Sequence, residues 1–131
     1  MTWVAVLAAF LVAHMVGDYL LQTDWQARNK RGGLGNDAVA RRALVTHVTT
    51  YTLAFLPALV WIGTELEPVW ALVAGVLIFV PHLLIDDGRL VRVYLVRVKR
   101  ADGMNFGLAA SVDQSFHVLS LFFVALLVGA A

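Results

Sequence analysis

The chain has 131 residues, 60% of them hydrophobic and 15% charged, with a formal net charge of +1. So much apolar surface exceeds what one small water-facing core can bury, which argues against an ordinary soluble domain and for an all-α chain in lipid. The sequence has no cysteine, so disulfides, thiolate metal sites and cysteine nucleophiles are excluded.

Four apolar stretches follow in chain order: Thr2 to Leu21, Ala43 to Gly63, Pro68 to Ile85, and Val112 to the C-terminus. Each can cross a hydrocarbon layer of ~30 Å at a rise of ~1.5 Å per residue. The expected fold is a four-transmembrane-helix bundle forming a single domain over residues 1–131. The first stretch lacks a basic leader, and His14, Asp18 and Gln22 interrupt it, so it is expected to be a retained helix. Helix punctuation is expected at Asp37, at Pro68 and in a Ser111/Gln114 capping box. Pro81 is the one interior proline expected to kink a span, just before His82.

All ten Lys and Arg residues fall in two connections. The first carries Arg28, Lys30, Arg31, Arg41 and Arg42 around the run Gly32-Gly33-Leu34-Gly35, expected to be a flexible turn. The other basic connection follows the third span. It alternates Arg89, Arg92, Arg97, Lys99 and Arg100 with apolar residues, predicting an amphipathic surface helix whose basic face meets anionic lipid headgroups. The connection between spans two and three carries only Glu65 and Glu67. The positive-inside rule then places both termini outside. No nucleic-acid partner is expected from so short a basic stripe beside a membrane. Trp3, Trp25, Trp61, Trp70, Tyr19 and Tyr51 are expected as interfacial anchors.

Each span supplies one histidine: His14, His47, His82 and His117. Three have an aspartate four residues away, on the same helix face: Asp18, Asp86 and Asp113. With alternating helix directions, all seven fall at one depth in the cytoplasmic half. An ionised carboxylate in hydrocarbon costs ~2.5–3.5 kcal/mol on insertion scales, so such groups face inward and need partners. A divalent cation is such a partner, held by the seven as ligands, with zinc favoured and manganese or iron admissible. One ion or two are both compatible with the donor number. Asp18, Asp86 and Asp113 are the candidate catalytic bases. Gln22, one turn beyond Asp18, and Gln114, beside Asp113, are candidates to orient a ligand or touch substrate.

The segments His14-Met15-Val16-Gly17-Asp18-Tyr19-Leu20-Leu21-Gln22, Trp25, His47, His82-Leu83-Leu84-Ile85-Asp86 and Asp113-Gln114-Ser115-Phe116-His117 together resemble the domain of unknown function 3307 family of small bacterial membrane proteins. The resemblance covers almost the whole chain and implies a multi-pass protein of the bacterial inner (cytoplasmic) membrane. There is a looser similarity to membrane-bound metal-dependent hydrolases, which also carry intramembrane histidines and a His-x-x-x-Asp segment. The leading expectation is a metal-dependent hydrolase acting on a lipid or lipid-linked substrate. The alternatives are a divalent-cation or proton transporter, which requires a homo-oligomer to enclose a pore, and a non-catalytic scaffold.

Overall fold

The computed structural model describes residues 1–101 and 105–131, and every regular element among them is helical. Helix α1 (Trp3–Met15) passes directly into a π-helical segment (Val16–Leu21). Then come α2 (Asp24–Asn29), α3 (Ala38–Ala54), α4 (Leu56–Glu65), α5 (Pro68–Asp86), α6 (Arg89–Arg97) and α7 (Phe106–Gly129). Trp3–Leu21, α5 and α7 are each long and apolar enough to cross a membrane, and α3 with α4 adds a fourth passage if the bent pair is one span.

That bend corrects the expectation that Pro81 is the one proline to disturb a span. Helix α5 runs from Pro68 to Asp86 with Pro81 inside it, whereas the sharp break, 48°, separates α3 from α4. Pro57 explains it. Its ring has no N–H to return to the preceding turn, so α3 closes at Ala54 and the proline takes a first-turn position of α4, where no donor is required. Phe55, buried, forms the corner.

Two helices begin earlier than apolar content alone suggests. The Asp37 carboxylate accepts from the amides of Val39 (2.8 Å) and Ala40 (3.2 Å), so α3 starts at Ala38 and includes Arg41 and Arg42. Asn105 caps α7 through the Leu108 amide at 3.0 Å. Ser111, expected at a capping box, instead lies inside α7, its hydroxyl donating to the Gly107 carbonyl at 2.9 Å.

The bundle's axis follows from spacing. Val6, Phe10, His14 and Asp18 lie four residues apart, as do Ala74, Ile78, His82 and Asp86 on α5. On α3 and α7 the order is reversed: His47 precedes Tyr51 and Phe55, and Asp113 and His117 precede Leu121, Ala125 and Val128. Packing α1 and α5 antiparallel to α3 and α7 therefore puts the polar members at one end and a shared apolar core at the other. Outward faces stay apolar, with Val4, Val12, Leu20, Val60, Leu72, Val76 and Phe123 all exposed, as helices in lipid require.

A small cap covers the polar end. Helix α6 is amphipathic as expected and packs Val91, Tyr94 and Leu95 against Ile85, Leu108, Val112 and Phe116. Gly88, at φ 83°, makes the left-handed turn that folds α6 back from α5. The run Gly32-Gly33-Leu34-Gly35 is docked, not free: the Gly32 amide donates to the Asp87 carbonyl (2.9 Å) and the Leu34 amide to the Asp87 carboxylate (2.8 Å). A Cβ on Gly33 would stand 2.6 Å from Leu44 Cβ and 2.7 Å from the Ala40 carbonyl oxygen. Gly33→Ala should therefore destabilise the fold by about 1–3 kcal/mol, the usual range for overpacking, seen as a lower thermal midpoint in detergent. Gly75→Ala, whose nearest new neighbour lies 3.6 Å away, should leave that midpoint nearly unchanged.

Candidate metal centre

The π-helical segment opens the site. Its wide turn follows His14 and turns the Asp18 carboxylate inward, after which Gln22 takes extended backbone and the chain enters α2 through the Thr23/Gln26 capping box. Gly17 permits the close approach, since a Cβ there would stand 2.6 Å from the Tyr51 ring. Helix α3 supplies His47, α5 supplies His82 and Asp86, and α7 supplies Asp113 and His117. All four histidines and Asp86 are buried.

The expected pairs along each helix form: His14 Nδ1 to Asp18 Oδ2 at 3.6 Å, His82 Nε2 to Asp86 Oδ2 at 3.2 Å, and His117 Nδ1 to Asp113 Oδ2 at 3.5 Å. Contacts between helices are tighter. His47 Nε2 lies 2.9 Å from Asp86 Oδ2, 3.2 Å from Asp18 Oδ1 and 3.1 Å from His82 Nε2. His82 Nε2 lies 3.5 Å from Asp18 Oδ1. Thus Asp18, His47, His82 and Asp86 present one donor atom each to a common point, and this group could hold a metal ion. A second group, Asp86, Asp113 and His117, shares Asp86 with the first.

His14 stands at the edge, outside both groups. Its Nε2 donates to Gln114 Oε1 at 2.9 Å, and its Nδ1 accepts from the Tyr51 hydroxyl at 3.0 Å. The Gln114 amide donates to Asp113 Oδ2 at 3.3 Å, and the Gln22 amide lies 2.9 Å from His47 Nε2. Both glutamines therefore touch the cluster, as their positions in sequence suggested. Asp86 and Asp87, which could have been a solvent-facing helix end, are both buried.

Two residues escaped the sequence reading. Tyr51, expected at the interface, is buried with its ring parallel to that of His82, centroids 3.4 Å apart. Its signal was present: it follows His47 by four residues and so shares its face. Lys30 reaches under the cap to Asp86 Oδ2 at 2.7 Å, its side chain 14% exposed. Nothing in the composition of the first basic connection separates Lys30 from its neighbours.

A family model described as protein of unknown function (DUF3307) matches residues 6–131. The chain belongs to that family. No curated protein and no solved structure matches it. Every member of the cluster falls within the matched residues.

Tyr51→Phe keeps the ring on His82 but leaves His14 Nδ1 without its donor. It should cost about 1–3 kcal/mol, the penalty of an unsatisfied buried polar group, read as a lower thermal midpoint at unchanged helical circular dichroism.

Proposed function

We propose that this protein is a membrane-embedded metal-dependent hydrolase, with zinc the favoured ion, acting on a phosphate-bearing lipid or lipid-linked substrate at the cytoplasmic leaflet. One observation carries the reading. Five of the six separations among His47 Nε2, His82 Nε2, Asp18 Oδ1 and Asp86 Oδ2 run from 2.9 to 3.5 Å. Bonds of ~2.0–2.2 Å in a tetrahedral site put ligand atoms roughly 3.3–3.6 Å apart, so an outward shift of these side chains by a few tenths of an ångström would seat one small divalent cation. Two carboxylates and two neutral imidazoles suit zinc, manganese or iron, and they balance the charge of a dication.

An ion held there supplies the polarisation that makes water nucleophilic near neutral pH and steadies charge developing on a phosphoryl or acyl oxygen. Among the three candidate bases, Asp18 and Asp86 belong to the tetrahedral group, while the Asp113 side chain is 21% exposed and stands outside it. Asp113 is the proton acceptor in this reading, held by the Gln114 amide. Gln114 also lines an apolar groove between α1 and α7 with Leu7, Ser115, Val118, Leu119 and Phe122, of a size (≈ 490 Å³) to take part of an acyl chain. Gln114 links this groove to the cluster through His14 and Asp113.

The orientation follows from charge. Both basic connections lie at the site's end, so the positive-inside rule assigns that end to the cytoplasm of a bacterial inner membrane and both termini to the outside. Arg89, Arg92 and Arg97 flank a surface hollow on α6, with Lys99 and Arg100 just beyond, and each attracts anionic headgroups by ~1 kcal/mol. A transport relay finds less support. Beyond Tyr51 the described interior is built of Val6, Phe10, Phe55, Ile62, Ile78, Leu121 and Val128, with no group to pass on a proton or cation.

Zinc-loaded protein in vesicles containing a phosphomonoester lipid should release phosphate, and stripping the ion with a chelator should abolish release until zinc is returned. Undiminished turnover in metal-free protein would overturn the proposal.

Lys30 supplies a separate check. Its ammonium competes with an ion for Asp86 Oδ2, and unit charges about 4 Å apart interact by ~4 kcal/mol at an effective dielectric of 20. Lys30→Met should therefore lower the dissociation constant for zinc at least ~10-fold, about 1.4 kcal/mol, in competition with a chelating dye. Weaker binding would mean that Lys30 helps to hold the ion in place.

A further inference from the structure

We propose a second divalent-cation seat between Asp86 Oδ1 and His117 Nε2, joined to the first through the two oxygens of the Asp86 carboxylate. It rests on the metal reading above. Asp86 faces two ways: Oδ2 meets His47, His82 and Lys30, while Oδ1 is turned toward His117 Nε2, 3.4 Å away. Neither Asp86 Oδ1 nor His117 Nε2 has a hydrogen-bond partner among the described residues, and both side chains are about 1% exposed.

The state of His117 decides what the gap can hold. Its Nδ1–H donates to the Asp113 carbonyl at 2.9 Å, which leaves Nε2 with its lone pair directed at a carboxylate oxygen. Two buried lone pairs face each other. If Nε2 were also protonated, the imidazolium and carboxylate would close to ~2.7–2.9 Å, the usual length of a charge-assisted hydrogen bond. At 3.4 Å the two atoms stand farther apart than such a bond and at a spacing that two ligands of one small ion can take. A histidine fixed through its other nitrogen by a backbone carbonyl is the usual arrangement at metal sites.

Asp113 completes a three-donor group with Asp86 and His117. Bound through one oxygen, it keeps the other for the proton-accepting role assigned above. Three protein ligands leave room for water or a substrate oxygen, as open catalytic sites do. Two ions held by these residues would supply the paired-cation chemistry that steadies both the attacking and the leaving oxygen of a displacement. The ligand class is thus a second small dication of the same kind as the first.

Metal content tests this without any substrate. Detergent-purified protein dialysed against manganese should carry two ions per chain by elemental analysis and show the exchange-coupled paramagnetic resonance of a close pair. His117→Ala should carry one ion and give the spectrum of isolated manganese. If His117→Ala fails to fold by circular dichroism, Asp113→Asn, at the partly exposed member, should show the same loss of one ion. One ion in the wild-type protein with an uncoupled spectrum overturns the second seat and leaves the first standing. No bound ion at all overturns both.

Discussion

Two carboxylates buried between apolar helices set the terms for the rest of this structure. Asp18 and Asp86 sit inside a bundle whose outward faces are apolar, and the cost of keeping them charged there must be offset by positive or proton-donating groups. Imidazoles from three other positions and one lysine do this. Local departures from ideal helix then become intelligible. The π-helical turn carries Asp18 inward, Gly17 leaves space for Tyr51, and the early starts of α3 and α7 extend the bundle past the cluster so that the cap can close over it.

The cap solves a second problem. Helix ends next to a buried polar cluster expose unpaired amides and carbonyls, and these need partners where water is scarce. Asp87 provides them for the glycine run, binding two of its amides, while its neighbour Asp86 points the other way into the cluster. Consecutive aspartates thus divide the work: one fastens the lid and the other serves the site. Lys30 enters from that lid, linking cap closure to the charge of the cluster.

Most of this plan was legible in the sequence because the membrane simplifies the code. Spans announce themselves by length and hydropathy, and a spacing of four between His and Asp puts both on one face whatever the neighbours are. Convergence of all four spans at one level followed from alternating direction alone. The break at Pro57 is not evident from composition, because that proline acts through where α3 can end, which depends on tertiary packing. The cap at Asp37 stands where its residue type suggests, whereas the start of α7 at Asn105 is not marked by hydropathy, which does not register a cap in polar sequence. His14 was expected as a ligand like the others, and only the positions of Tyr51 and Gln114 reveal that both its nitrogens are engaged. Lys30 lay beyond any local signal, since its partner is 56 residues away.

The pattern of satisfied and unsatisfied atoms bears on whether the cluster merely glues helices together. A buried polar network kept for architecture gains only when every member is paired, and replacing one with close-packed apolar residues is often neutral or stabilising. The far half of this same bundle shows that the fold packs Val, Phe, Ile and Leu at equivalent positions on all four spans. At the polar end, Asp18 Oδ1, His82 Nδ1, Asp86 Oδ1 and His117 Nε2 lack partners in hydrogen-bonding geometry among the described residues. Three of the four face other polar atoms of the cluster at 3.2–3.5 Å. The fourth, His82 Nδ1, belongs to a ring fixed from the side by Tyr51. Glue would satisfy its own valences, whereas the residues that carry these unpaired atoms all belong to the two groups that could hold a metal ion.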